Sequence, residues 1–420
     1  MLKKIRIDQL RLGMQLHELC DAWLDHPFWK TKFVLRDPRD LQKLCASGVS
    51  ECWIDTAKGS DVCEPTKLLA PRPVPAAAAA SVTASAAGSA ADAPLAPARS
   101  SIEEETARAA ALCHRARSAV ESLFEAARLG RALDTEKCLP LVEDIAASVL
   151  RNPGALVSLA RLKNRDDYTF MHSVAVCALM VSLAQQLGQD EAQTREAGMA
   201  GLLHDLGKAL IPLEVLNKPG PLTDAEYAIM KTHPRRAHEL LQEVGAASAI
   251  TLDVCLHHHE RPNGQGYPNG LAGDALSMPA RMGAVCDVYD AITSNRPYKD
   301  GWDPAESIAR MADWSRHGQF DTGIFQRFVA AVGIYPIGSL VRLRSGRLAV
   351  VAEQNHTSLV TPRVKVFYST KSCLPVPVEL LDLSRPGCGD RVVGRESNDG
   401  WAFPHLAEFV TGHEGMRKRA

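Results

Sequence analysis

The run Ala200-Gly-Leu-Leu-His-Asp-Leu-Gly-Lys208 constrains this chain more than any other stretch. An apolar segment suited to a helix core breaks into an imidazole, a carboxylate and, one helical turn on, an ammonium. On a helix Lys208 stands at i+4 from His204 and i+3 from Asp205, so it returns to their face. An isolated His-Asp pair in a buried helix could satisfy itself by mutual hydrogen bonding. Its surroundings point elsewhere. Seven of the 14 histidines (172, 204, 233, 238, 257, 258 and 259) crowd into one segment. Histidine is the commonest transition-metal ligand, and mixed His/Asp sets suit iron, manganese or zinc, whereas cysteine-rich sets favour structural zinc. His172, His204, Asp205, His233, His258, His259 and Asp287 offer more ligands than one four- to six-coordinate ion needs. Two metals sharing a carboxylate follow from that surplus.

With 420 residues of near-average composition, the chain is long enough for two or three domains with a real core. A net charge of -1 and a pI near 6.9 argue against nucleic-acid polymers as partners. Eleven scattered cysteines without a C-x-x-C read as reduced thiols. No apolar run approaches the length of a membrane span, and Met1-Leu-Lys-Lys-Ile-Arg lacks a hydrophobic signal core. These features predict a cytoplasmic protein.

Residues 1–64 read as a small α+β accessory domain. Lys4 to Leu16 alternates as strands around Gly13, Asp40–Leu44 suggests a short helix, and Ser50–Asp55 returns as a strand. The aromatic stretch Trp23–Trp29 is expected to form this domain's core. Residues 65–100 are rich in Ala and Pro, which cannot bury enough apolar surface to offset ordering entropy, and read as a flexible linker. Residues 101–154 form a helical pair: one helix from a capped start at Ser101 through Leu129, another from Glu136 to Leu150, stopped by Asn152-Pro153-Gly154. The pair either packs on the metal domain or joins protomers into a homodimer.

Residues 155–335 read as successive helices separated by Pro/Gly turns: Tyr168–Leu187, Glu191–Leu206, Thr223–Met230, Pro234–Val244, Ala246–His259, Ser277–Ser294 and Pro304–His317. Each candidate ligand lies at or near a helix end, so several helices can converge on one cavity. Residues 336–395 change pattern. Gly338–Val351 reads as two strands around Ser345-Gly346 and Arg363–Tyr368 as a third, a small antiparallel β extension. Residues 396–420 read as a tail with a disordered basic end.

His172, His204-Asp205-x-Gly-Lys208, His233, His258-His259-Glu260, Gly264-x-Gly-Tyr-Pro268 and Asp287-x-Tyr-Asp-Ala291, with Lys218-Pro-Gly220 and Arg296-Pro-Tyr-Lys299, resemble the HD-GYP family of cyclic di-GMP phosphodiesterases. The match runs from about Tyr168 to Phe328. Residues 1–64 also resemble a domain of unknown function found before such modules. The resemblance implies a mainly α protein, an HD-type helical bundle holding two divalent metal ions, iron or manganese. It implies hydrolysis of a 3′-5′ phosphodiester of cyclic di-GMP to linear pGpG, and onward to GMP, by a hydroxide between the metals. Carried over, the ligands are His172, His204, Asp205 (bridging), His233, His258, His259 and Asp287, while His257 is an extra histidine. Asp205 and Lys208 carry the catalytic roles. Lys208, Arg296 and Lys299 hold phosphate oxygens, and Tyr267 shapes the substrate pocket. Asp290 is expected to hold Lys208 or to orient a ligand from behind.

The family carries aspartate where this chain has Asn263, which keeps the turn and loses the charge. Trinuclear members carry a glutamate at the place of Tyr168, so two metals are expected here. A second reading is a weak or inactive module that binds cyclic di-GMP or docks on GGDEF-domain proteins through the Gly-Tyr-Pro loop. A third is an HD hydrolase of mononucleotides or alarmones, which has no need of that loop.

Overall fold

The computed structural model describes residues 2–6, 9, 14–19, 33–34, 51–56, 100, 102–161, 168–245, 247–294, 301–355, 358–398, 401, 403, 406 and 409. The chain divides into two compact units, residues 1–94 with 221–225, and residues 95–220 with 226–420. In the first, β1 (Leu2–Arg6), β2 (Gln15–Leu19), β3 (Phe33–Val34) and β4 (Glu51–Asp55) form an antiparallel sheet in the order β1-β4-β2-β3. Pairing of β1 with β4 sets Lys3 opposite Ile54 and Ile5 opposite Cys52, so Ile5 and Ile54 share a face, and both are buried. The expected helix at Asp40–Leu44, the stretch Trp23–Trp29 and residues 65–99 of the linker lie outside the described residues.

The helices are α1 (Ile102–Arg128), α2 (Leu139–Arg151), α3 (Pro153–Arg161), α4 (Tyr168–Gln186), α5 (Glu191–Leu203), α6 (Leu213–Leu216), α7 (Asp224–Met230), α8 (His233–Val244), α9 (Ala249–His257), α10 (Met278–Thr293), α11 (Pro304–Arg316) and α12 (Thr322–Val332). Side-chain caps start five of these helices. Asp190 and Gln193 form a reciprocal capping box on α5, and Ser248, Ser277, Asp303 and Asp321 accept backbone N–H groups at the starts of α9 to α12. Gly245, with φ of 66°, closes α8 in the left-handed region.

The middle of the bundle is α4, where every residue from Val174 to Leu183 is buried. Its segment Thr169–Gln186 is long and apolar enough to cross a membrane, with mean hydropathy 1.2, yet 72% of it is buried among the other helices. In the sequence Ser173, Ser182 and His172 interrupt this apolar run, and in the fold it is a core helix. The helical pair packs on the bundle. Phe124 and Val120 of α1, and Ile145 and Val149 of α2, share one apolar cluster with Val174 and Val181 of α4. A buried Glu105 carboxylate ties the pair together, accepting two bonds from Arg151 at 2.8 Å each and one from Ser148 at 2.8 Å. Glycine lets α5 press on α4: a Cβ at Gly201 would stand 2.9 Å from Cys177 Cα.

The C-terminal extension is a five-stranded antiparallel sheet in the order β8-β7-β6-β5-β9, from β5 (Leu340–Leu343), β6 (Arg347–Glu353), β7 (Arg363–Ser369), β8 (Leu374–Asp382) and β9 (Val392–Arg395). Two of these strands escaped the sequence reading. In β8, Pro375 and Pro377 mask the alternation, and they are tolerated because β8 is an edge strand. Part of the expected tail also packs: Trp401, Phe403, Leu406 and Phe409 lie against the cluster of Leu348, Val350 and Phe367. The basic end from residue 410 onward lies outside the described residues.

Replacing Gly201 by alanine is expected to destabilise the chain by about 1–3 kcal/mol, the usual cost of overpacking against backbone. Denaturant unfolding of the metal-free protein measures it. Wild-type stability would show that α4 and α5 separate at no cost.

Candidate metal centre

The apolar helix α5 ends at Leu203, earlier than the sequence predicts. His204 caps it, Asp205 takes φ of −99° and ψ of 6°, and Leu206–Leu210 continues as a 3-10 helix. The HD pair therefore sits at a break in the helix. A close approach fixes that break, since a Cβ at Gly207 would stand 2.0 Å from the carbonyl oxygen of His233. The start of α8 is thereby pressed onto the HD turn. His172 comes from the second turn of α4, His233 opens α8, and His258 and His259 follow α9. Asp287 departs from the expectation of helix-end placement and lies mid-way along α10.

All seven candidate ligands converge and none is exposed. They form two sets, Asp205 with His233, His258 and His259, and His172 with His204 and Asp287, the donor atoms of each set lying within 4.8 Å of one another. Asp205 joins the sets through its two oxygens. Oδ1 lies 3.3 Å from His233 Nε2 and 3.8 Å from His258 Nε2. Oδ2 lies 3.4 Å from His204 Nε2 and 3.5 Å from His172 Nε2.

Hydrogen bonds behind the ligands fix which nitrogen faces inward. Nδ1 of His204 donates to the Gly201 carbonyl at 2.8 Å, Nδ1 of His233 to Met230 at 2.8 Å, and Nδ1 of His258 to Val254 at 3.0 Å. A carbonyl can only accept, so these Nδ1 atoms carry protons and each Nε2 of the neutral ring is a bare lone pair. Nε2 of His233 and His258 then face each other at 3.4 Å beside a carboxylate. That arrangement repels itself unless a cation lies between. His204 Nε2, Asp205 Oδ1 and His259 Nδ1 are buried without hydrogen-bond partners among the described residues. The donor set thus fits divalent metal ions, and buried lone pairs are left unsatisfied without them.

Asp290 contributes from behind: its Oδ2 accepts from His172 Nδ1 at 2.6 Å. Of the two neighbours expected for it, Asp290 meets the candidate ligand His172, while Lys208 Nζ goes to Asp205 Oδ2 at 2.5 Å. Arg296 and Lys299 lie outside the described residues. Tyr267 stacks on His259, with ring centroids 4.7 Å apart, and forms one side of the centre. His257 turns away, Nδ1 pairing with Asp253 at 2.7 Å and Nε2 accepting from Asn269 at 3.1 Å. Sequence reasoning overlooked the role of Glu260. Its buried carboxylate accepts the backbone N–H groups of Asn269, Gly270 and Leu271 at 2.6 to 3.0 Å and so holds the loop that carries Tyr267. Asn263 is exposed, and its Oδ1 accepts from the Gln265 N–H at 3.0 Å, a turn contact an aspartate makes equally.

The electrostatics suit cation binding. Burial pushes the Asp205 carboxyl up, but the Lys208 ammonium beside it outweighs this and holds Asp205 well below the usual carboxylate range. Burial likewise opposes, and the His172 hydrogen bond overcomes, at Asp287, which is also held well below. Burial lowers His258 to about 3, and burial lowers His259 and His233. At His172 burial also lowers, but the Asp287 and Asp290 bonds win and raise it.

A helical bundle closing on buried His and Asp ligands defines a metal-dependent phosphohydrolase of the HD type. Residues 140–324 match the HD domain, and residues 2–138 match a domain of unknown function. A cyclic di-GMP phosphodiesterase of Pseudomonas aeruginosa is 54% identical over 413 residues, covering 98% of this chain and 96% of its own. A cyclic di-GMP phosphodiesterase response regulator of Xanthomonas campestris is 41% identical over 42% of this chain and 48% of its own. A 3′3′-cGAMP-specific phosphodiesterase of Vibrio cholerae is 35% identical over 39% and 38%. The chain belongs to the HD-GYP family.

Two outcomes follow. Asp290→Ala should weaken metal binding about 10- to 100-fold, the usual cost of losing a ligand's supporting contact, as read by metal content after dialysis. Undiminished content would remove Asp290 from the centre. The metal-free protein should also lose stability on acidification. His233, His258 and His259 have folded pKa values below the ordinary 6.5, so their stability is present above 6.5 and lost as pH falls below it. His172 acts oppositely, losing its contribution as pH rises through its raised pKa, but it is one group against three. Melting at pH 7.5 and 5.5 tests the sign, and a higher midpoint at 5.5 would refute it.

Proposed function

We propose that the chain is a cyclic di-GMP phosphodiesterase with a bimetallic site, cutting one 3′-5′ phosphodiester to give linear pGpG, with GMP the product of a second cut. The reading rests on the division of the Asp205 oxygens between two ligand sets. Similarity to the Pseudomonas enzyme along nearly the whole chain supports the substrate. Bound there, two divalent ions, iron or manganese, supply acidified water and charge for the phosphate.

The chain's own residues hold and exclude. Asp205 bridges the sets, and Asp290 keeps the His172 ring turned inward. Lys208 lies on Asp205 yet stays partly exposed, so its ammonium can reach a phosphate oxygen and offset charge that grows in the transition state. Arg296 and Lys299, three residues apart in the sequence, are assigned to the same anion. Tyr267 against His259 walls one side from water. Hydrolysis adds the water oxygen to phosphorus, breaks the P–O3′ bond and leaves a 5′-phosphate and a 3′-hydroxyl. Seven cysteines among the described residues are free. Burial pushes Cys113 up to about 12 and Cys138 up to about 11, which suits reduced thiols in the cytoplasm.

Chromatography of cyclic di-GMP incubated with iron- or manganese-loaded protein tests the reading, with Asp205→Ala alongside. Conversion by the wild type and its loss by at least about 100-fold in the variant is expected, since the variant cannot join the ligand sets. A fully active variant would rule out the shared carboxylate. A parallel incubation with 3′3′-cGAMP separates the two substrates named among the relatives. Asn263→Asp should change the rate by less than about threefold, because the turn contact survives. A large gain would show that the natural chain is impaired at this position.

A further inference from the structure

Tyr267 serves two neighbours. It stacks on His259, and the Lys231 ammonium lies over the same ring, 6.0 Å from its centroid and 4.9 Å from that of Tyr227. Lys231 follows Tyr227 by one helical turn and donates its N–H to the Tyr227 carbonyl at 2.9 Å, so the end of α7 sets the side chain over that ring. Two residues later His233 enters the metal centre. One short turn therefore presents a metal ligand and a cation to a single site.

The way this cation is held matters. An aromatic face attracts an ammonium without neutralising it. Lys208 and Lys218 are each paired with a carboxylate at 2.5 Å, to Asp205 and Glu226. Lys231 has aromatic neighbours and no ion-pair partner among the described residues. Its charge is available to an anion beside the metal centre.

We propose that Lys231 binds the second, uncleaved phosphate of a cyclic dinucleotide and so positions the first at the metal ligands. The inference rests on the reading of the chain as a cyclic-dinucleotide phosphodiesterase. Such a substrate carries two phosphodiesters on one macrocycle. When one occupies the metal ligands, the other is an anion held across the ring, away from those ligands. A cation set on the tyrosine that borders the centre can meet it. Substrates with one phosphodiester have nothing for Lys231 to hold.

Metal-loaded full-length Lys231→Ala and Lys231→Arg test this against cyclic di-GMP and bis(p-nitrophenyl) phosphate, which has one phosphodiester. Lys231→Ala should raise KM for cyclic di-GMP about tenfold or more, as loss of one charge-assisted contact does, with a smaller effect on kcat. Lys231→Arg should recover most of that loss. The loss of kcat/KM on the single phosphodiester should be at least about fivefold smaller than on cyclic di-GMP, since that contact is absent there. Equal losses on both substrates would mean that Lys231 merely supports Tyr267 or His233, and would overturn the proposal. So would an unchanged KM in an otherwise active enzyme. A wild type that cleaves the single phosphodiester and leaves cyclic di-GMP intact would overturn the underlying reading, and this proposal with it.

Discussion

Lone pairs that face one another around a buried carboxylate govern this protein. Three imidazoles have their Nδ1 protons committed to backbone carbonyls, and their Nε2 atoms point at Asp205. Uncompensated, such a cluster costs folding free energy; with cations between the atoms the same groups become ligands. Stability and chemistry are coupled at one point for this reason. The bundle has to be rigid enough to hold like groups together until a cation arrives.

Packing supplies that rigidity. Gly207 lets the start of α8 approach the HD turn more closely than any side chain permits, and Gly201 does the same between α5 and α4. The core helix α4 carries His172 on an almost wholly buried surface, which leaves its ring little freedom. α10 brings Asp287 and Asp290 one turn apart, so a single helix supplies a candidate ligand and the carboxylate that accepts from His172 Nδ1.

The loop after α9 works differently, through backbone contacts. Glu260 gathers three N–H groups of residues 269–271, and Tyr267 is carried against His259. A Cβ at Gly266 would stand 2.4 Å from Glu260 Cα, so the loop folds tightly back on the segment that follows the ligand histidines. A charged rim residue, Lys231, meets the same tyrosine from a different part of the chain.

Much of this was legible in the sequence, because ligand types and helix periodicity are local properties. The seven candidate ligand residues, the helical class of the bundle and the antiparallel extension all show in spacing and composition. Periodicity alone predicts a continuous helix through the HD turn, since nothing local says that Gly207 will meet the carbonyl of His233. Two strands were hidden, one by prolines that only an edge position tolerates. The expectation for Asp290 stays open in the sequence between Lys208 and a ligand, and it meets His172 because α10 approaches α4. The clamp made by Glu260 and the place of Lys231 over two tyrosines join segments distant in sequence. The sequence by itself determined which groups are available for metal and phosphate. The tertiary structure alone decided which nitrogen of each histidine faces inward and how the Asp205 oxygens are shared, because both depend on backbone and side-chain atoms brought together only by packing.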